Sequence, residues 1–323
     1  MPVTSDIALW GRAVPEWVVQ ALSASGRPVS DVGGGDSATR GFPSAKRHDD
    51  IRTFSARTAG MTLLCTDLLA ANDASLLAEG RSLIFSVEPL PAAACVGPRP
   101  PRVCLLPGLA HDSTLALAGS AAAESGPCRH ALVEASAPPA YGSALARVAD
   151  AARAIIMWMG MPDGVTCALS GARPTRVRED VPDAASRAMG GFGGTISCLM
   201  RYADARGAAL VASASAPQWA RRAHLQLGSG MIVADDARMV RLDASGATVE
   251  HADAPGRPAA TPVDVAAECI ASDAELERTQ PESLATRTAA LLEAICLSGI
   301  TGEWEEPARI EDILSRSSRF ADD

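Results

Sequence analysis

The side chains suited to general acid and base catalysis are few in this chain of 323 residues. Lys46 is its only lysine, and its five histidines lie at positions 48, 111, 130, 224 and 251. A general base must accept a proton near neutral pH, so histidine, or a lysine with a lowered pKa, is the usual choice. His111 closely follows the apolar run at residues 103–106. If that run is a parallel strand, its carboxyl end borders a ligand crevice, and His111 is a candidate acid/base residue; a structural histidine is the alternative.

A second set of candidates follows the first apolar run, where a nucleotide phosphate would bind. Residues 11–16 read Gly-Arg-Ala-Val-Pro-Glu, whereas the G-x-G-x-x-G turn of dinucleotide-binding proteins brings a helix N-terminus against the pyrophosphate. Only Gly11 of that pattern is present, because Ala13 and Glu16 replace the other two glycines, and Glu16 adds a negative charge. Arg12 is a candidate phosphate ligand, and a solvated loop arginine is the alternative.

Asp36 is the candidate for binding a ribose hydroxyl, since it follows the second apolar run. Gly33, Gly34 and Gly35 precede it. They either form a nest of backbone N–H groups for an anion or serve as a flexible connector. The sequence therefore predicts Gly11, Arg12 and Asp36 as cofactor contacts.

These candidates depend on a parallel sheet in the first part of the chain. Short apolar runs alternate there with helical periodicity, which indicates βαβ units. Residues 14–22 carry apolar side chains at helical spacing, and Gly26 suits the C-terminal cap of that helix. The predicted strands cover residues 7–10, 29–32, 61–66, 83–87 and 103–106.

From residue 128 the pattern changes to a long helix at residues 143–159 and then to strands with short turns between them. The turn at residues 203–207 favours a hairpin, hence an antiparallel or mixed sheet. A Pro-rich connector at residues 254–262 precedes two final helices, residues 284–298 and 310–320. The predicted strands cover residues 130–135, 195–202, 208–215, 222–227, 231–234, 239–242 and 248–251.

Together these elements predict an α/β chain of two domains. Residues 1–126 form an N-terminal Rossmann-like domain with a parallel sheet. Residues 127–323 form a C-terminal α+β domain with a large, mostly antiparallel sheet, and its final helices pack back toward the first domain.

Composition excludes several classes of partner. A net charge of -9 argues against a nucleic-acid partner, which is bound mainly through clustered Lys and Arg. The eight cysteines lie far apart without C-x-x-C spacing, which predicts buried thiols instead of a metal site or a disulfide framework. No apolar run has the length of a membrane span, and no signal segment opens the chain. We therefore expect a cytoplasmic protein that binds neither membrane nor metal.

Over nearly its whole length, the chain resembles the glucose-fructose oxidoreductase / inositol dehydrogenase (Gfo/Idh/MocA) family. Residues 76–90 resemble the family's helix and strand that end in Glu-Lys-Pro, and residues 143–162 resemble its catalytic helix with the following Gly-x-Pro turn. Residues 195–250 resemble its sheet, and residues 291–295 its C-terminal helix. The resemblance implies an NAD(P)-dependent oxidoreductase of a sugar, cyclitol or related compound, with the C-terminal sheet pairing subunits.

The departures fall on the residues that the family uses for chemistry. Its Glu-Lys-Pro lysine is missing, and Glu88 and Pro89, which stand in that place, are the further cofactor contacts that the resemblance implies. Counted back from Gly160, the histidine of the His-x-x-Asp motif falls on Asp150 and the aspartate on Arg153. Asp150 and Arg153 share a helix face and form either a different acid/base pair or a plain ion pair.

The resemblance and its departures leave three hypotheses for function. The first is a catalytically silent or strongly diverged relative that acts by binding or assembly, as a homo-oligomer or with an active relative, with Arg221 and Arg222 beside Trp219 at the rim of the interface. The second is an active NAD(P)-dependent enzyme with a rearranged site that uses His111 or Asp150. The third is a small-molecule sensor or a non-redox enzyme on the same scaffold.

Overall fold

The computed structural model describes residues 6–96, 100–108, 113–171, 184–190, 192–253, 261–273, 275–276, 280–281 and 283–319. Its described strands are β1 (Ile7–Trp10), β2 (Val29–Gly33), β3 (Lys46–His48), β4 (Thr62–Cys65), β5 (Leu83–Ser86), β6 (Arg102–Leu105), β7 (Cys128–Ser136), β8 (Gly164–Ser170), β9 (Thr195–Arg201), β10 (Gly207–Ser213), β11 (Ala220–Leu227), β12 (Gly230–Asp235), β13 (Arg238–Asp243) and β14 (Thr248–Asp253).

The helices in the same part of the chain lie between and after these strands. They are α1 (Glu16–Ser25), α2 (Asp36–Gly41), α3 (Ile51–Thr58), α4 (Ala71–Ala78), α5 (Ser113–Ser125), α6 (Ala144–Met159), α7 (Ala184–Met189), α8 (Pro262–Ala271), α9 (Ser283–Thr301) and α10 (Pro307–Arg319).

The chain forms two compact units. Unit 1 comprises Met1–Pro107, Pro262–Ala289 and Leu314–Asp323, and unit 2 comprises Gly108–Thr261 and Ala290–Ile313. This division differs from the boundary predicted at residue 126. Helix α5 packs on β11, β12 and β13 within unit 2, and α8 packs on α1 within unit 1.

Unit 1 is built on a parallel sheet with the strand order β3-β2-β1-β4-β5-β6. This is the doubly wound order of dinucleotide-binding folds. Nearly every side chain of β1, β4 and β5 is buried, as expected for strands covered on both faces, and this explains why they appear in the sequence as apolar runs. Gly26 ends α1 with φ 68°, which confirms the predicted cap.

The C-terminal part of the chain contributes α8 to unit 1. The guanidinium of Arg27, which follows α1, forms a buried ion pair with Asp273 at 2.5 Å. The same guanidinium donates a hydrogen bond to the carbonyl oxygen of Ile270. These contacts hold α8 against α1, although α8 begins within the stretch interpreted as a Pro-rich connector.

Unit 2 is built on an eight-stranded sheet with the order β14-β13-β12-β11-β7-β10-β9-β8. Only β7 and β10 pair in parallel, and the other neighbours are antiparallel. The predicted fold class is therefore confirmed: a Rossmann-like parallel sheet and a separate, mostly antiparallel sheet. Helices α5 and α6 pack on strands of the second sheet, and the alternating burial along β7 and β9 reflects one covered face.

Helix α9 is long and apolar enough to cross a membrane by length and composition. Most of its apolar window is buried within the protein, however, as in a core helix of a soluble protein. Among the described residues it is the one helix that meets this criterion.

Candidate functional site

In unit 1, backbone N–H groups of the turn after β1 donate hydrogen bonds to side chains of the same chain. The backbone N–H of Arg12 donates to both carboxylate oxygens of Asp67, at 3.0 and 2.8 Å. The N–H of Val14 donates to the hydroxyl oxygen of Ser37 at 3.0 Å. Two N–H groups of the turn that was predicted to bind a pyrophosphate thus have acceptors within the chain.

The parallel sheet brings these acceptors to the turn. The N–H of Thr66 donates to the carbonyl oxygen of Trp10, so the chain leaving β4 runs beside the chain leaving β1, and Asp67 lies next to Arg12. Ser37 lies in the first turn of α2. Asp67 was not among the sequence candidates, because nothing local to residue 67 indicates that its carboxylate meets a turn 55 residues earlier.

Gly11 is in close contact with Thr66. A Cβ atom at Gly11 would lie 2.0 Å from the Thr66 hydroxyl oxygen. The Thr66 residue is 7% exposed, and its hydroxyl has no hydrogen-bond partner among the described residues. The absence of a side chain at Gly11 therefore makes room for Thr66 itself.

The glycine run after β2 lies against the same turn. A Cβ at Gly34, whose φ is 96°, would lie 2.8 Å from the carbonyl carbon of Gly11. A Cβ at Gly35 would lie 2.8 Å from the carbonyl oxygen of Arg12. Gly34 and Gly35 are therefore packed closely against the turn, where neither position has room for a side chain.

Asp36, the candidate for a ribose hydroxyl, lies in the first turn of α2. Its side chain is 76% exposed and forms an ion pair with Arg47 at 2.9 Å. Arg47 also pairs with Asp49. Lys46, interpreted from the sequence as part of a loop, instead lies in β3, the short edge strand of the sheet, and is exposed.

A partly buried pair of an aspartate and a histidine, which the sequence does not reveal, lies between β2 and β3. Asp31 accepts a hydrogen bond from His48 Nε2 at 2.7 Å, and the His48 ring meets the Phe54 ring edge-on. Burial acts to raise the pKa of Asp31, but the hydrogen bonds from His48 and Ser30 outweigh burial and leave that pKa below its ordinary value. His48 is thus a structural partner of Asp31.

Glu88 and Pro89 follow β5, where the Glu-Lys-Pro strand of the resembled family would end. The Ser86 hydroxyl donates to the carbonyl oxygen of Glu88, and the N–H of Val87 donates to the carbonyl oxygen of Cys65 at 2.9 Å. Glu88 is half-buried and Pro89 is buried. These contacts fix the backbone after β5 without a lysine at this point.

The remaining catalytic candidates are Asp150, Arg153 and His111. Asp150 and Arg153 lie on α6 and are 1% and 3% exposed. Helix α6 begins at a Ser143 cap, whose hydroxyl accepts the N–H of Ala146, and ends before Gly160. His111 lies outside the described residues.

A cluster of arginines and aromatic rings surrounds Trp219 in unit 2. The guanidinium carbons of Arg147 and Arg221 lie 5.2 and 4.7 Å from the centroid of its ring. Arg221 is buried and donates to Asp236 at 2.7 Å and to the Gly108 carbonyl oxygen at 2.9 Å. The expectation that Arg221 rims an interface is therefore wrong: its charge is neutralised inside the unit by Asp236.

All eight cysteines are buried free thiols, which confirms the prediction for them. In the part of the chain that the structure describes, no group of three or more His, Cys, Asp or Glu side chains could hold a metal ion.

No protein-family model matches the sequence, and no curated protein is significantly similar to it. Solved structures, in contrast, match nearly the whole chain. The complex of levoglucosan dehydrogenase with NADH and levoglucosan matches 94% of this chain and 99% of its own, with a TM-score of 0.67 and 15% identity.

Other matches belong to the same class of protein. An oxidoreductase domain protein from Kribbella flavida matches the same shares, with a TM-score of 0.67 and 16% identity. UDP-N-acetylglucosamine 3-dehydrogenase from Acidithiobacillus ferrooxidans matches 96% of this chain and 99% of its own, with a TM-score of 0.61 and 13% identity. The chain has the Gfo/Idh/MocA oxidoreductase fold. At these identities the likeness defines the Gfo/Idh/MocA fold and leaves the activity to be argued from the site.

Proposed function

We propose that this chain is a catalytically inactive or strongly diverged relative of the Gfo/Idh/MocA oxidoreductases that acts by binding or assembly. The observation that carries the proposal is the contact of the Asp67 carboxylate with the backbone N–H of Arg12. In a dinucleotide-binding fold, the N–H groups of this turn serve the pyrophosphate. Here an internal carboxylate has the role of that anion.

The turn does not fit a dinucleotide pyrophosphate. A diphosphate would have to displace Asp67 from the Arg12 N–H and then remain close to its charge, and like charges at such distances repel. Pro15 has no N–H to offer at the start of α1, and Glu16 in the first turn of α1 adds a second negative charge. Arg12 is the one cation of the turn, against Asp67 and Glu16.

The groups for hydride-transfer chemistry are also replaced. Oxidation of a hydroxyl needs a base to take its proton, and the place of the family's lysine holds Glu88 and Pro89. Lys46, the one lysine of the chain, lies exposed on β3. Asp150 and Arg153 replace the His-x-x-Asp pair and are nearly inaccessible to solvent, and neither is the histidine that would accept a proton near neutral pH.

The outward face of the second sheet supports assembly. Leu199, Ala209, Leu132, His224 and Val233 are successive partners across five strands, and Val240 continues the row on the next strand. None of them belongs to the buried set, and Leu199 is 59% exposed. A largely apolar, solvent-accessible row on a sheet face supports an interaction site there.

We propose that this face pairs two copies of the chain, or this chain with an active relative. Arg222 and Glu134, which face each other on neighbouring strands, lie at the side of the row and are suited to polar contacts. A cytoplasmic location and a small-molecule ligand remain part of the proposal, supported by the likeness to soluble dehydrogenases.

The test is a titration with NAD(H) and NADP(H), followed by thermal unfolding. Binding at 100 times the dissociation constant stabilises a fold by about 2.7 kcal/mol, so a real site raises the melting temperature visibly. We expect no shift at millimolar nucleotide. Asp67→Ala frees the Arg12 N–H and is expected to give at most weak nucleotide binding, while Asp36→Ala, at the exposed carboxylate of the same region, is expected to give none.

A clear rise in the melting temperature of the unmodified protein with nucleotide would overturn the hypothesis of an inactive relative. It would favour the alternative of an active NAD(P)-dependent oxidoreductase of a sugar, cyclitol or related compound, for which the NADH complexes of levoglucosan dehydrogenase supply the motivation. A ligand that stabilises the protein without any nicotinamide would instead indicate a sensor or a non-redox enzyme.

A further inference from the structure

Three thiols converge in unit 2 at the edge of the second sheet. Cys167 on β8 and Cys198 on β9 are direct partners in the antiparallel register. Cys296 on α9 lies near them, close enough to contribute to the raised pKa of Cys198, and Cys167 contributes in turn to the raised pKa of Cys296. No role in the proposed function uses these side chains.

The hydrogen bonds of β8 define the geometry of the pair. The N–H of Cys167 donates away from β9, to the Ser298 hydroxyl at 3.0 Å. Two residues earlier, the N–H and carbonyl of Val165 both bond to Glu305. Cys167 and Cys198 are therefore a non-hydrogen-bonded pair, in which opposite Cα atoms are about 4.5 Å apart and side chains are closest.

A disulfide fits this spacing at its short limit. Disulfide-linked Cα atoms are usually about 4.4 to 6.8 Å apart, with most near 5.5 to 6 Å. The pair is thus close enough for a disulfide to form without backbone rearrangement.

The three thiols differ in their exposure to solvent, and this difference decides which of them reacts first. Cys167 is 9% exposed, whereas Cys198 and Cys296 are 2% and 0% exposed, so a small oxidant reaches Cys167 first. A hydrogen bond to Cys167, together with burial, raises the pKa of Cys198. Cys167 is the attacking sulfur and Cys198 the resolving thiol.

We infer that Cys167 and Cys198 form a reversible redox dithiol that hydrogen peroxide converts to a cross-strand disulfide. Cys167 attacks one peroxide oxygen, which gives a sulfenic acid and one water. The Cys198 sulfur then displaces the sulfenic hydroxyl, which leaves with a proton as a second water, and the S–S bond forms. Two thiols are oxidised and one peroxide is reduced to two waters, and a dithiol reductant reverses the change.

The experiment treats the folded, full-length protein with hydrogen peroxide, blocks free thiols with an alkylating agent and digests it with trypsin. The three cysteines fall on separate tryptic peptides, which begin at Ala154, Ala188 and Thr288. We expect the first two peptides to be joined with the loss of two hydrogens, and to separate again after dithiothreitol. Cys104→Ser, which removes a buried thiol of β6, is expected to leave the cross-link unchanged.

Cys198→Ser is expected to abolish the cross-link and leave Cys167 as a sulfenic acid that dimedone traps. If Cys198→Ser fails to fold, Cys167→Ser serves in its place and is expected to leave Cys198 unoxidised. A disulfide that joins Cys296 to Cys167 or Cys198 would overturn the assignment. The assignment would also fail if peroxide oxidised Cys167 and Cys198 only after the protein was unfolded, so that both thiols of the folded protein were recovered in alkylated form.

Discussion

Gly11 stands where a dinucleotide-binding protein needs a glycine, yet its neighbours give it a packing role. The Thr66 hydroxyl occupies the space of a Cβ at this position, and the Asp67 carboxylate takes the N–H of the next residue. The same residue type thus serves two different purposes in relatives of this fold. The difference lies in what surrounds the glycine, so substitutions around it distinguish packing from cofactor binding.

We predict that Gly11→Ala destabilises the protein by about 1–3 kcal/mol, the usual cost of overpacking a buried site. Thr66→Ala removes the atom that the new methyl group would meet. The double variant is therefore expected to lose less than the sum of the single losses, with a coupling of about 0.5–3 kcal/mol. Urea unfolding measures all three variants. Strict additivity would mean that Gly11 does not pack against Thr66 as described.

At the scale of elements, the Asp31–His48 pair joins β2 to the edge strand β3. Strand β3 has three residues, and only His48 among them is buried. Neither an apolar run nor an alternation of apolar and polar residues therefore predicts this strand from the sequence. A charged hydrogen bond in a partly buried place then replaces the apolar contacts that hold longer strands. The attachment of β3 consequently depends on the charge of Asp31.

We predict that this attachment weakens in acid. The folded pKa of Asp31 lies below its ordinary value, so its contribution is fully present above about pH 4, the ordinary range of Asp. The contribution is lost as the pH falls through the folded pKa. Unfolding measured from pH 7 to pH 3 should show a steeper loss for the unmodified protein than for Asp31→Asn.

The matched control for this pH series is Asp49→Asn. That carboxylate is 82% exposed and pairs with Arg47 at the surface, where an ion pair contributes little. Asp49→Asn should therefore lose nearly as much free energy of unfolding between neutral and acidic pH as the unmodified protein does. Identical pH profiles for Asp31→Asn and the unmodified protein would contradict the role of Asp31.

At the scale of the whole molecule, two features bear on function. One is the row of side chains on the outward face of the second sheet, and the other is the turn after β1 in the first sheet. An exposed, largely apolar row on a sheet face gives the protein proposed above a physical reason to associate. The exposed Leu199 lies at the β9 end of that row. Its substitution tests assembly without touching the turn after β1.

We predict that Leu199→Asp lowers the fraction of oligomer, because a charge buried in an apolar contact must be desolvated. Sedimentation velocity at equal protein concentration measures the change, and circular dichroism checks the fold. Leu117→Asp is the control, since Leu117 is an exposed leucine of similar kind on α5. A monomeric unmodified protein, or equal loss in both variants, would contradict assembly through this face.

Several parts of the fold could be predicted from the sequence because they depend on local periodicity. Strand β1 has its predicted bounds, and helix α6 differs from its predicted range by one residue, since an all-buried strand and an Ala-rich helix carry strong patterns. Strands β3 and β8 and helices α2, α3, α7 and α8 were not predicted. Helix α8 in particular begins at a proline, which is also what a connector would show.

The sequence by itself determined the two sheets, the resemblance to an oxidoreductase family, and the residue types missing from that family's motifs. It could do so because periodicity and residue identity are local properties of the chain. Only the tertiary structure decided that Asp67 meets the Arg12 N–H, that Thr66 fills the space at Gly11, and that Cys167 faces Cys198. Such contacts join positions 31 to 55 residues apart, and their distances follow from which strand ends the fold brings together.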